Sequence, residues 1–170
     1  MAPYSVHSVR FFSINPSSIH TLAFCKSKSL LALSRADNSI EIWNHVGNPI
    51  LERWIPGNSE SSVEALAWAG ERLFSTGLHG LVLEHDLQSL STRNQFAVTS
   101  GPAWCMEYND ASNRIAVGTE EGFVCLFQVT EEGLVYDKVM DKQEGRVLCL
   151  SWHSSGSFIC TGNKRVLASQ

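Results

Sequence analysis

Imidazoles, thiols and paired carboxylates are the groups with which this chain of 170 residues could do chemistry. The six histidines are His7, His20, His45, His79, His85 and His153. None belongs to an HExxH pair or to any pair at helical ligand spacing, so the two imidazoles on one helix face that a zinc hydrolase needs are not offered. Glu120-Glu121 and Glu131-Glu132 are neighbours in positions where turns are expected. Adjacent side chains diverge there into water, whereas acid–base catalysis needs carboxyls gathered in a pocket with a shifted pKa. No serine lies in a GxSxG elbow, and no glycine-rich phosphate loop occurs. The five cysteines, Cys25, Cys105, Cys125, Cys149 and Cys160, show no CxxC or other ligand spacing, which speaks against zinc. Their odd number would leave one unpaired in a disulfide framework, and they are expected to be small buried hydrophobes in a reducing compartment. The expectation is a chain without catalytic residues, cofactor, metal or small-molecule substrate.

What such a chain can do depends on the elements that carry these residues, and those elements repeat. IHTLAF (from Ile19), VEALAW (from Val63), AWCMEY (from Ala103) and VLCLSW (from Val147) are short apolar runs ending in an aromatic, spaced by 44, 40 and 44 residues. A second run follows each, as LLALSR, RLFSTG, RIAVGT and SFICTG. In the first three copies, Asp37-Asn38, His79-Gly80 and Glu121-Gly122 place turn-tolerant residues before a third run, as a hairpin demands. Looser fourth runs, PILERWI, TRNQFAV and LVYDKVM, close the units. Four short strands per unit of about forty residues make one blade of a propeller.

This pattern resembles the WD-repeat family over nearly the whole chain. In the first unit Ser34, Asp37 and Trp43-Asn44 stand where that family has its serine, its turn aspartate and its tryptophan-aspartate pair. His85-Asp86 and Phe127-Gln128 occupy the pair's position in units two and three, and the glycine-histidine opener appears only as Gly57-Asn58. The resemblance therefore implies an incomplete hydrogen-bonded tetrad in every blade, with packing as the main cohesive force. Phe24, Trp68, Tyr108 and Trp152 hold equivalent places at the ends of first strands and are expected to be buried between blades. The resulting expectation is an all-β, partial WD-repeat propeller. Residues 1–18 form an outer closing strand (Tyr4 to Phe12) and lead-in, 19–62, 63–102 and 103–146 form three blades, and 147–170 form an incomplete fourth.

VHSVRFFSINPSSI, SRADNSIEIWN, EALAWAGERLFSTGLHG and RVLCLSWHSSG together are similar to the amino-terminal part of the cirhin family of nucleolar WD-repeat proteins. That resemblance implies a non-catalytic scaffold of ribosome biogenesis. It would work in small-subunit processome assembly on pre-ribosomal RNA, support transcription and early processing of that RNA, and reside in the nucleolus. Other processome proteins would be its partners, with pre-ribosomal RNA touched directly or through them. The competing readings are a generic WD-repeat adaptor, such as a ubiquitin-ligase substrate receptor or signalling scaffold, and, third, a propeller hydrolase.

Composition is compatible with this reading. With 44% apolar and 18% charged residues the chain is globular in character, and no run approaches the eighteen or so apolar residues that span a bilayer. Its one Asn-X-Ser spacing, Asn15-Pro16-Ser17, is excluded as a glycosylation site by the proline. Net charge is −4 but unevenly spread. No acid precedes Asp37, while nine acids and three bases lie between Glu107 and Glu144. Lys26, Lys28 and Arg35, in the acid-free part, are the candidate RNA contacts, because each neutralised phosphate releases counterions. An acid-free, serine-rich start also suits a transit peptide, but cleavage there would remove part of the first repeat. After Gly162 only NKRVLASQ follows, so a truncated isoform or incomplete gene model, with open sheet edges and poor solubility, is expected.

Overall fold

The computed structural model of the chain describes residues 17–163. The Tyr4 to Phe12 strand and the Val166-Leu167-Ala168 run lie outside the described residues. Within them the chain is all-β, with fourteen strands and no helix. β1 (Ile19–Cys25), β2 (Leu30–Arg35), β3 (Ile40–Asn44) and β4 (Ile50–Ile55) form one antiparallel sheet, in that order. β5 (Ala65–Ala69), β6 (Arg72–Thr76), β7 (Leu81–Asp86) and β8 (Ser91–Ala97) form the second. β9 (Ala103–Asn109), β10 (Arg114–Thr119), β11 (Val124–Thr130) and β12 (Gly133–Val139) form the third. β13 (Val147–Trp152) and β14 (Ile159–Asn163) pair as a two-stranded fourth.

Local chemistry explains the strand breaks. Between the second and third strand of each complete sheet the chain turns through a residue with positive φ, namely Asn38 (63°), Gly80 (69°) and Gly122 (90°). Asparagine and glycine tolerate that conformation, and the turn brings the strands back in antiparallel register. Each of these turns is buttressed by the segment leading to the next sheet. Gly57 shows how closely: a Cβ built there would lie 1.9 Å from the Asp37 carbonyl oxygen. A side chain at position 57 would force the two loops apart.

The sheets stack face to face, with β1, β5, β9 and β13 side by side at the hub. Cys25, Ala32, Ile42, Leu66, Trp68 and Leu73 pack between sheets one and two. Phe74, Val82, Ile115, Val117, Cys125 and Phe127 pack between two and three. Ala116, Val124, Leu126 and Val147 seal three against four. Burial along the strands reflects this layering. All five residues of β5 are buried, since both faces of its sheet are covered, whereas β1 alternates because only one of its faces meets another described sheet.

Two expectations are corrected here. Of the four hub aromatics only Trp68 is buried, at 8% exposure; Tyr108 and Trp152 are partly buried, and Phe24 is 48% exposed. Trp68 faces sheet one, while Phe24 sits on the face of sheet one that no other described strand covers. The cysteines also divide: Cys25 and Cys125 are buried, Cys105 is intermediate, and Cys149 and Cys160 are exposed. The exposed pair lies on the two-stranded sheet, which meets another described sheet on one face only.

Candidate functional site

The hub strands all run in one direction, so their turns collect at one end of the molecule. Lys26, Gly70 and Asp110 occupy equivalent places in the turns after β1, β5 and β9, and together they border a cavity of about 460 Å³. Its walls include Phe24, Met106, Glu107 and Tyr108. Glu107 is fixed by accepting the backbone N–H of Trp152 on Oε2 at 2.8 Å. The Tyr108 hydroxyl is 2.9 Å from Asn113 Oδ1, and burial together with the nearby Asp110 carboxylate raises its pKa. The repeat spacing contained the signal for this cavity, since the 44- and 40-residue intervals carry Lys26 to Gly70 and Asp110. The residue types themselves did not point to it.

At the opposite end a second cluster joins sheets three and four. The Trp104 indole N–H donates to Glu120 Oε2 at 2.6 Å, Arg146 pairs with Glu120 Oε1, and the guanidinium lies 4.6 Å from the Trp104 ring centroid. Arg146 and Trp104 hold the Glu120 carboxyl below its usual pKa. Between sheets one and two, His20 Nε2 is 2.7 Å from Glu64 Oε2. These contacts tie one hub strand to the next.

The three candidate RNA contacts do not share a surface. Lys26 and Lys28 project from the β1–β2 turn, exposed, with Lys28 Nζ 3.1 Å from Glu71. Arg35 is at the far end of β2, about 16 Å along a strand of that length. Its guanidinium is engaged by Glu41 through Nε and Nη2 at 3.0 and 2.9 Å and donates to the Ser17 carbonyl. Arg35 is thus a bracket within the first unit.

Inside the sheets, the polar positions of the repeat are filled unevenly. Trp43 donates its indole N–H to Glu41 rather than to Ser34, whose buried hydroxyl has no hydrogen-bond partner among the described residues. In the second unit His85 takes the tryptophan's place, its Nε2 2.8 Å from Ser75 Oγ, and burial drives its pKa down to about 4. His85 and Ser75 are both buried. Among the described residues no group of three or more histidines, cysteines or acids is placed to hold a metal ion.

Residues 137–166 match the WD domain, G-beta repeat family. The described sheets superpose on solved propellers. TM-scores are 0.69 for the structure of U3-55K (20% identity, 83% of this chain and 44% of that one) and 0.73 for a chain of the mitotic checkpoint complex (14% identity, 86% and 46%). The fold is that of a WD-repeat β-propeller. Three complete blades and two strands of a fourth are described. In sequence the chain is 40% identical over 164 residues to the human U3 small nucleolar RNA-associated protein 4 homolog, covering 96% of this chain and 24% of the relative. It is 34% identical over 163 residues to U3 small nucleolar RNA-associated protein 4 of Saccharomyces cerevisiae, covering 86% and 21%. The chain thus spans about a quarter or less of the length of the curated relatives it matches.

Proposed function

We propose that the chain is a non-catalytic WD-repeat scaffold of ribosome biogenesis, acting in the nucleolus in small-subunit processome assembly on pre-ribosomal RNA and supporting its transcription and early processing. The observation that carries this reading is the 40% identity to a U3 small nucleolar RNA-associated protein over 96% of the chain. The blades support a scaffolding role: their titratable groups are spent on joining strands and sheets, as at Glu120 and Arg35, rather than on a reacting centre. Lys26 and Lys28, exposed on one turn, are the proposed phosphate contacts, and Arg35 contributes by bracing the blade.

The test is to express the tagged chain in cells, follow its localisation and sedimentation, and crosslink it to RNA. Nucleolar signal in large pre-ribosomal particles is expected. Changing Lys26 and Lys28 together to glutamate should reduce crosslinking and flatten its salt dependence. A chain that never sediments with pre-ribosomal RNA would favour the generic adaptor instead.

A further inference from the structure

The internal contacts between blades follow one rule. On each hub strand the repeat turns a large pair back toward the preceding sheet: Leu66 and Trp68 toward sheet one, Met106 and Tyr108 toward sheet two, Leu150 and Trp152 toward sheet three. The residues that alternate with them face forward to the next sheet and are mostly small, as Ala23 and Cys25 are under Trp68, and Ala67 and Ala69 under Met106. Large side chains on one back are thus seated on small ones of the front before it, which fills the contact without voids. A hydrogen bond marks the fit. Trp68 donates its indole N–H to the Ala23 carbonyl at 3.1 Å, and Trp152 donates to the carbonyl of Glu107, the equivalent residue two repeats later, at 3.3 Å.

The two ends of the described stack each present one half of this contact. Leu22 and Phe24 are the large pair of β1, 60% and 48% exposed on the back of sheet one. Leu33 and Leu31 lie opposite them on β2 and continue the apolar face. At the other end, Cys149 and Ser151 of β13 pair with Gly162 and Cys160 of β14, on the side away from Leu150 and Trp152. This front is made of small uncharged residues, and Cys149, Ser151 and Cys160 are exposed. The stack covers 44% and 46% of the propeller chains on which it superposes, so it sweeps roughly half a ring. Two half rings meet at two places, which is the closed geometry of a two-fold dimer.

We propose that a second copy of this chain covers both faces, the back of sheet one in each copy seating on the front of sheet four in the other, so that two identical contacts close a two-fold dimer. Phe24 then lies over the Ser151 of the other copy, as Trp68 lies over Ala23. Only β13 and β14 supply each front, so a contact covers β1 and β2 and leaves Trp54, 51% exposed on the outer β4, in water. Each contact is therefore small, and the dimer forms at high protein concentration and dissociates on dilution. The inference stands apart from the RNA reading, since it concerns sheet faces and not the turn lysines.

The test is sedimentation velocity of the full chain over a range of concentrations in reducing buffer, with the rate of iodoacetamide labelling as a second readout. A monomer–dimer equilibrium is expected, with Cys149 and Cys160 labelled more slowly in the dimer. Leu22→Asp puts a charge on the back and Ser151→Arg puts one on the front, and each alone should weaken association by on the order of a hundredfold. Mixed in equal amounts, the two variants should recover a dimer held by one contact, because the intact back of one meets the intact front of the other. A misfolded variant could not do this. Phe24→Trp supplies the indole N–H that the other contacts use and should tighten each contact by about fivefold. Trp54→Ala should leave association within about twofold, which unspecific apolar sticking would not. A chain that stays monomeric at every concentration overturns the proposal and assigns the cover of sheet one to the chain's own residues outside 17–163. Failure of the mixture to recover a dimer, or a ladder of species larger than the dimer, overturns it as well.

Discussion

Blades one and two have the same four-strand order and nearly the same register, yet they hold themselves together differently. Blade two lies between two described neighbours, and its hub strand is buried throughout. At its centre Glu84, 1% exposed, is gripped by Arg72 at 2.8 Å and by Asn94 at 2.9 Å, while Arg72 also donates to the Thr130 carbonyl of blade three. Blade one has a charge pair of its own, Arg35 with Glu41, at other repeat positions and on its outer face, where the side chains keep 23% and 15% exposure. One pair is thus buried between two sheets and the other lies on a half-wet face. Which face a polar group occupies determines what it contributes.

The largest expected difference between the two blades is at the hub aromatics. Trp68 fills the interface with blade one and donates its indole N–H to the Ala23 carbonyl at 3.1 Å. Trp68→Ala should cost about 3 to 5 kcal/mol. Phe24→Ala, at the equivalent place in blade one, should cost about 1 kcal/mol or less. Urea denaturation of the two variants checks this, and similar losses would mean that the outer face of blade one is as well packed as the inner.

Charge pairs come next. Arg72→Ala strands a buried carboxylate and should cost about 3 kcal/mol, even with Asn94 and Arg93 still near it. Arg35→Ala leaves Glu41 reachable by water and should cost about 1 kcal/mol. Burial pushes the Glu84 carboxyl upward, but its cationic and amide partners outweigh that and leave its pKa lowered. This pair is therefore intact at neutral pH and weakens only in acid, as the carboxylate protonates.

A third contrast is titratable. At the position where blade one has Trp43, blade two has His85, whose pKa burial lowers from 6.5 to about 4 against a small opposing pull from Glu84. The unfolded chain takes up a proton near pH 6.5 and the folded chain does not, so stability falls as pH drops below that value, until the folded group itself protonates near 4. From about pH 7.5 to about pH 5 the loss should be about 2 kcal/mol. His79, also lowered by burial, adds in the same direction. His85→Phe should remove most of the slope in pH-resolved melting, and an unchanged slope would place the titration elsewhere.

How much of this was legible in the sequence follows from the same contrast. Strand order and turns were readable because alternation and turn chemistry are local: Asn38, Gly80 and Gly122 sit where the backbone requires their conformations. The dispersal of histidines and acids among different strands was equally plain. Side-chain partners were not readable, because they depend on which face is covered. Arg35 was grouped with Lys26 and Lys28 by proximity along the chain, but a strand carries its two ends to opposite sides of a blade. The hub cavity is assembled from three turns some forty residues apart, which only an alignment of the repeats brings together.

The smallest expected effect tests the repeat chemistry most directly. In a complete WD tetrad the serine of the second strand is a hydrogen-bonded link, and replacing it should destabilise. Here the Ser34 hydroxyl is at 0% exposure with no partner among the described residues, and Trp43 donates to Glu41 instead. A buried hydroxyl without a partner has lost water and gained nothing, so Ser34→Ala should be neutral or stabilising by up to about 1 kcal/mol. Ser75→Ala in blade two removes a real partner from His85 and should cost about 1 to 2 kcal/mol, since a buried imidazole nitrogen is left unpaired. The two serines are the same chemical group in neighbouring copies of one repeat, and opposite signs in thermal melts would show that the copies have diverged in their hydrogen bonding. Equal destabilisation would mean that Ser34 has a partner, and that the tetrad of blade one is closed after all.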